Sequence, residues 1–164
     1  MDALVEEAAK KAAVAWIGVG GRPATLVWCA WLGGALLVVS GEGEQAVPGL
    51  AEAATAEVSL RGDHGGRIVT FPAEVTRIAP DDEAWAELVP QLAGKRLNGS
   101  GGAEDLARGW AERCVVSRLS PAAGSAELPE DSQAAPPRPT PATRIPRRPF
   151  RLHKVRGATK DPRR

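Results

Sequence analysis

Two apolar arms joined by a glycine pair, between residues 24 and 40, constrain the fold of this chain more than any other stretch. The arms are rich in β-branched and aromatic residues, which favour strands. Gly33 and Gly34 supply the positive φ angles that a two-residue hairpin turn requires. The pattern therefore predicts a β-hairpin in which Leu32 lies opposite Ala35.

The first arm of this hairpin, residues 26–32, is apolar on both of its alternating faces. In the predicted register its Trp28 lies opposite Val39. A strand with two apolar faces lies between a core and a second covering surface. The residues leave open whether that cover is a partner subunit, a helix or a bound ligand.

A membrane helix is the alternative interpretation, because residues 23–41 carry no charge and are long enough to cross a bilayer. The glycine pair, the β-branched content and the immediate Glu42 and Glu44 favour the hairpin instead. The first residues are acidic, whereas a secretory signal begins with basic ones. We therefore expect a cytoplasmic protein that makes no membrane contact.

Charge and proline content divide the chain into two parts. Residues 1–120 hold 11 Lys/Arg and 16 Asp/Glu, a balance of −5, whereas residues 121–164 hold 10 and 4, a balance of +6. The second part is rich in proline and arginine and has almost no aliphatic clusters, so we expect a disordered tail after a single domain. A solvated basic end is the favoured interpretation of the tail, and contact with nucleic acid or an acidic partner is the alternative.

The residues that commonly carry hydrolytic or metal chemistry are sparse. Cys29 and Cys114 are the only cysteines, each in an apolar run, and we expect buried free thiols. His64 stands in a glycine-rich turn without a neighbouring ligand, which is typical of a solvated histidine. We therefore predict no metal site and no Ser/His/Asp, Cys/His or paired-carboxylate catalytic arrangement.

The order of predicted elements indicates an α+β fold, a six-stranded antiparallel β-barrel with flanking helices. We expect Pro72 to cause a bulge or bend in the longest strand. The predicted helices span residues 2–13, 48–55, 81–92 and 103–112, and the strands outside the hairpin span residues 14–19, 56–61, 67–78 and 113–119.

Several segments together resemble the pyridoxamine 5'-phosphate oxidase-like family of flavin-binding split barrels. They are Ala15-Trp-Ile-Gly-Val-Gly-Gly-Arg-Pro with the following Leu-Val-Trp-Cys-Ala-Trp, then Gly66-Arg-Ile-Val-Thr, Lys-Arg-Leu-Asn and Cys-Val-Val-Ser-Arg-Leu-Ser-Pro. The resemblance covers about residues 3–120. It implies a six-stranded antiparallel split β-barrel that pairs into a homodimer. A cofactor would then lie in a groove between the subunits, and this arrangement would cover the second face of the apolar strand.

The resemblance also implies where the cofactor binds. In similar proteins a Ser/Thr ends the strand after the hairpin turn, and a Lys or Arg a few residues later binds the flavin phosphate. Here Ser40 and Gly41 match, but Gln45 stands at the position of the cation, and Glu42 and Glu44 would repel a phosphate. Trp28 and Thr70 are expected near the flavin ring, and Arg61, Arg67 or Lys95 could supply the missing charge.

Two functions therefore follow from the resemblance. The first is an FMN- or deazaflavin-dependent oxidoreductase, in which the cofactor carries the electron transfer and the protein supplies placement and polarity. No catalytic residue is assigned for it. The second is a cofactor-free dimeric barrel that serves as a binding module, with the basic tail making the contact.

Removing the tail tests the predicted domain boundary. A chain that ends at Ala122 should melt within about 2 °C of the full chain, because residues 123–164 offer no periodic apolar face. Thermal unfolding followed by circular dichroism makes the comparison. A sharp fall in the melting temperature would show that the tail contributes to the fold.

Overall fold

The computed structural model describes residues 3–61, 68–96 and 101–122, and in this part the six predicted strands are all present. One of the six is divided in two, which gives seven strands. The elements are α1 (Ala3–Lys11), β1 (Val14–Gly18), β2 (Thr25–Trp28), β3 (Ala30–Leu32), β4 (Ala35–Gly41), β5 (Thr55–Arg61), β6 (Ile68–Ile78), α2 (Glu83–Lys95), α3 (Ala103–Arg113) and β7 (Cys114–Pro121).

The hairpin turn forms as its glycines predict. Gly33 and Gly34 have φ angles of 56° and 76°, and β3 pairs with β4 so that Leu32 lies opposite Ala35. The predicted pairing of Trp28 with Val39 is wrong. Trp28 pairs instead with Val14 of β1, because the first arm changes partner at Cys29.

That change of partner closes the sheet. The strand order is β2-β1-β5-β6-β7-β4-β3, with β2 and β3 at the two edges. Every pairing is antiparallel. Because β2 and β3 are consecutive parts of one arm, the bend at Cys29 connects the edges and makes a nearly closed barrel. The amide of Cys29 donates to the carbonyl of Ala13, at 3.1 Å, and holds the bend against β1.

Two hydrophobic clusters lie on opposite sides of β4. Its Leu36 and Val38 belong to the cluster inside the barrel, which α1 closes with Val5 and Ala9. Its alternate residues, Leu37 and Val39, belong to a second cluster with α2 and α3. All six residues from Ala35 to Ser40 are buried as a result. The central strand of the fold is thus covered on both faces within one chain.

Two further local predictions fail. Residues 48–52 form a series of turns rather than a helix, with amide-to-carbonyl bonds from Leu50 to Val47 and from Ala53 to Leu50. Pro72 causes no bulge, since the register of β5 with β6 is continuous across it. The carbonyl of Pro72 accepts a hydrogen bond from the amide of Ala122, so the backbone of Pro72 faces the end of β7. At the end of a ladder, the amide hydrogen that proline lacks costs little.

The helices beyond the sheet agree with their apolar periodicity. Leu88, Val89 and Leu92 of α2 are buried, and Trp110 of α3 is buried beside them. Within the described ranges, no helix is long and apolar enough to cross a membrane.

Gly41 ends β4 at a point where only glycine fits. Its φ angle is 152°, and an added Cβ would lie 2.5 Å from the carbonyl oxygen of Arg113 and 2.7 Å from the Cα of Cys114. The chain therefore turns away from β7 through a close contact between two backbones.

We expect Gly41→Ala to lower the free energy of unfolding by about 2 to 4 kcal/mol, through steric overlap and backbone strain. The matched control is Gly94→Ala in α2, where an added Cβ meets no heavy atom within 4 Å. The control should raise stability by about 0.5 to 1 kcal/mol, because alanine favours helices. Denaturant unfolding measures both, and a Gly41→Ala variant as stable as the wild type would contradict the contact.

Candidate functional site

An apolar surface remains on the outer side of β1 and β2. Val14, Trp16 and Leu26 are 43%, 36% and 44% exposed, and they are the exposed large hydrophobic residues of the described part. Trp16 lies opposite Leu26, and Val14 lies opposite Trp28, so all four side chains share one face. We name this set the β1–β2 face. Clustered exposed apolar side chains of this kind mark binding surfaces.

A pair of hydroxyl groups continues this face across the sheet. Trp16 lies opposite Ser59 of β5, and Ser59 lies opposite Thr70 of β6. Their hydroxyl oxygens are 2.9 Å apart. Two hydroxyls that share one hydrogen bond keep one proton to donate elsewhere, so a hydrogen-bond donor lies beside the indole of Trp16.

The side chain of Gln45 binds the open edge of β2. The amide of Trp28 donates to Gln45 Oε1 at 2.7 Å, and Gln45 Nε2 donates to the carbonyl of Leu26 at 3.4 Å. The carboxamide therefore takes the place of a neighbouring strand. Both of its polar atoms are used within the chain.

A charged cluster lies next to Trp28. Arg96 lies over the indole of Trp28, 5.2 Å from the ring centroid, and its Nη2 donates to Glu44 Oε2 at 2.9 Å. The other carboxylate oxygen, Glu44 Oε1, accepts a bond of 3.0 Å from the indole of Trp110. The side chains of Glu44 and Arg96 are only 8% and 20% exposed. The predicted repulsion from Glu44 is therefore offset by a cation that lies 52 residues away in sequence.

Ser40 and Gly41 lie at the start of the loop that continues to Glu44 and Gln45. Ser40 is buried opposite Val115, and Gly41 lies opposite Cys114. Beyond them, Glu42 and Glu44 face α3 across a cavity of about 170 Å³. Asp105 and Arg113 also line this cavity, so acidic groups outnumber basic ones.

The structure brings some of the predicted site residues together and separates others. Trp28 and Gln45 are in contact, and Thr70 lies on the same face, three strands away in the sheet order. Arg61 ends β5, but its side chain lies outside the described residues, as does the whole of Arg67. Lys95 is exposed at the end of α2.

Sequence reasoning missed Trp16, Arg96 and Trp110. Trp16 alternates with the buried Ala15 and Ile17, so strand periodicity alone could have placed it on the outer face. The contacts of Arg96 with Glu44 and Trp28 join distant segments and have no local signal.

The two thiols are free, and they differ in environment. Cys29 is buried, as predicted, and its burial raises the pKa of the thiol to about 12. The prediction of a buried thiol is wrong for Cys114, which is only partly buried and donates to the carbonyl of Glu42 at 3.5 Å. Burial, and after it the negative charge of Glu44, raise the pKa of Cys114.

The structure offers no metal-binding cluster of His, Cys, Asp or Glu in residues 3–61, 68–96 and 101–122. His64 lies outside these ranges.

Comparison with solved structures identifies the fold. HutZ, the heme storage protein from Vibrio cholerae, matches with a TM-score of 0.53 and 16% identity, over 74% of this chain and 89% of that chain. An F420 reductase matches with a TM-score of 0.49 and 16% identity, over 72% and 93%. The FAD and heme binding protein from Mycobacterium smegmatis matches with a TM-score of 0.46 and 16% identity, over 90% and 92%.

The match to HutZ shows a shared fold, and the nearly closed antiparallel barrel agrees with the split barrel expected from the sequence, so the resemblance is confirmed at the level of the fold. The chain is a split-barrel protein. No protein-family model and no curated protein sequence matches it.

The thiols provide a test of the site's environment. Because the thiolate is the reactive form and both pKa values are raised, a thiol reagent at pH 8 should modify Cys114 slowly. The rate of Cys114 modification should rise about tenfold per pH unit as long as the pH is below the pKa of this thiol. Cys29 should react only after unfolding. A Cys114→Ser variant should show no native-state labelling, and rapid labelling of Cys29 in the folded protein would contradict the structure.

Proposed function

We propose that this chain forms a homodimer through the β1–β2 face and binds a planar flavin or deazaflavin cofactor in the groove beside it. The exposed Val14, Trp16 and Leu26 carry this proposal, because a water-soluble chain seldom leaves a tryptophan and a leucine paired on an open strand surface. A second copy that covers this face would bury the apolar side chains of both subunits.

The neighbouring polar groups fit the ring of such a cofactor. Its ring is flat and apolar on its faces, and its edge carries carbonyl and nitrogen acceptors. Trp16 and Trp28 offer aromatic surfaces, and the Ser59–Thr70 pair offers a hydroxyl proton at the side of that surface. When bound, the cofactor would supply hydride or electron transfer, which makes an oxidoreductase the favoured activity. The chain's residues would orient the ring and exclude water from it.

The phosphate group of FMN fits the structure less well than the ring does. In the loop from Ser40 to Gln45, the carboxamide of Gln45 is bonded to β2 and the nearby Arg96 is paired with Glu44. The described cation that lines the cavity beside this loop is Arg113, and Glu42, Glu44 and Asp105 outnumber it there. Arg61 and Arg67 therefore stay the predicted source of that charge if FMN is the cofactor.

The cofactor-free binding module is the second candidate. It is favoured by the loop from Ser40 to Gln45, in which Glu44 and Gln45 are bonded within the chain. A chain that has lost its cofactor has no need of a phosphate site. In that case the β1–β2 face would still form the dimer, and the basic tail would contact nucleic acid or an acidic partner.

The visible spectrum of the purified protein separates the two functions. A retained flavin or deazaflavin would colour the protein, and a visible absorption band of either kind would support the cofactor proposal. A colourless protein should be titrated with FMN, riboflavin and a deazaflavin, following the change in ligand fluorescence. Failure to bind all three would favour the binding module.

Charged substitutions on the β1–β2 face test the dimer. Trp16→Glu and Leu26→Lys should each convert a dimer into a monomer at micromolar concentration, because they place charges in an apolar contact. Ala86→Glu, on the exposed side of α2, is the matched control and should stay dimeric. Sedimentation equilibrium measures the mass, and a monomeric wild type would contradict the proposal.

A further inference from the structure

We propose that the carboxylate of Glu44 fills, from within the chain, an anion-binding site formed by Arg96 and Trp110. Its presence there excludes a ligand's phosphate from the loop between Ser40 and Gln45. Glu44 is thus a specificity-determining residue. This role in ligand choice rests on the proposed function, whereas the anion site itself does not.

The donors around Glu44 converge as they would on a bound anion. Arg96 Nη2 and Trp110 Nε1 lie 2.9 and 3.0 Å from the two different carboxylate oxygens. They belong to separate elements, since Trp110 lies in α3 and Arg96 directly follows α2. The indole of Trp28 supports the guanidinium on one face. Such preorganised, charge-assisted donors are typical of sites for carboxylate or phosphate.

One donor of this site is left over. Arg96 Nε is buried and has no hydrogen-bond partner among the described residues. The two carboxylate oxygens of Glu44 accept from Arg96 Nη2 and Trp110 Nε1, and neither accepts from Arg96 Nε in this geometry. A phosphate has more oxygens and could accept from all three donors. The site therefore suits a tetrahedral anion at least as well as it suits Glu44.

Charge explains why the wild-type site stays closed to phosphate. Glu44 neutralises Arg96, and the adjoining cavity adds Glu42 and Asp105 against Arg113. An incoming phosphate would have to displace a carboxylate that is held within the chain and would meet further negative charges. A ligand with an uncharged end meets no such barrier.

Removing Glu44 should open the site to an external anion. In Glu44→Ala, inorganic phosphate should bind at least tenfold more tightly than in the wild type, since it gains charge-assisted bonds that the side chain otherwise makes. Isothermal titration with phosphate, at constant ionic strength set with chloride, measures the affinity. The melting temperature of the variant should also rise with phosphate more than that of the wild type.

The double variant Glu44→Ala, Arg96→Met is the matched control, because it lacks the cation as well as the carboxylate. It should lose the gain in phosphate affinity and show only the general effect of salt. Equal phosphate affinities for the single and double variants would overturn the proposal, and so would a wild type that binds phosphate as tightly as Glu44→Ala.

Glu44→Gln covers the case in which Glu44→Ala does not fold, since glutamine keeps one oxygen for the donors. It should bind phosphate more tightly than the wild type, and an unchanged affinity would overturn the proposal.

If riboflavin binds, the wild type should hold riboflavin and FMN with affinities within about threefold, and Glu44→Gln should favour FMN by about tenfold. If riboflavin, FMN and a deazaflavin all fail to bind any variant but phosphate binds Glu44→Ala, the anion site stands and the proposed cofactor falls.

Discussion

The bend at Cys29 is the constraint on which the rest of the structure depends. Before it, the arm pairs with β1, and after it, the arm pairs with β4, so a single segment joins both edges of the sheet. The bend also separates the arm's surroundings. Leu32 packs toward α2 and α3, whereas Leu26 stays on the open surface beside Trp16. Barrel closure and the exposed β1–β2 face are thus two results of one change of strand partner.

The loop after β4 links this face to the helices through polar contacts. Gln45 binds the edge of β2, and its neighbour Glu44 binds Arg96 and Trp110. Burying an ion pair costs solvation energy, which only well-directed hydrogen bonds offset. Here both carboxylate oxygens have a donor, and the guanidinium has an aromatic neighbour. The polar groups of Gln45 and Glu44 are therefore bonded within the chain, and Arg113 in the adjoining cavity is outnumbered by Glu42, Glu44 and Asp105.

Local sequence patterns predicted most of the helices and strands. The features that they did not predict depend on contacts between segments far apart in sequence. The Gly33–Gly34 turn, its first cross-strand pairs and the apolar side of α2 follow from residues close in sequence. Residues 48–55 have helical composition, but residues 48–52 form turns, and the carbonyls of Leu50 and Ala53 accept bonds from Arg77 of β6. The contact of Glu44 with Arg96 likewise joins distant segments, so the loop appeared unfavourably charged from the sequence alone. The family resemblance predicted the fold. The contact of Glu44 with Arg96 changed the charge expected at the proposed site for the flavin phosphate.

The most direct test of the central claim is the dependence of riboflavin affinity on protein concentration. If the ligand binds in a groove between two copies, binding and dimerisation are linked, and each must strengthen the other. Titrations followed by flavin fluorescence at several dilutions, with sedimentation velocity on the same samples, measure both. Riboflavin should bind more weakly as the dimer dissociates, and added riboflavin should shift the protein toward the dimer. Riboflavin-saturated monomers whose affinity does not change on dilution would contradict it.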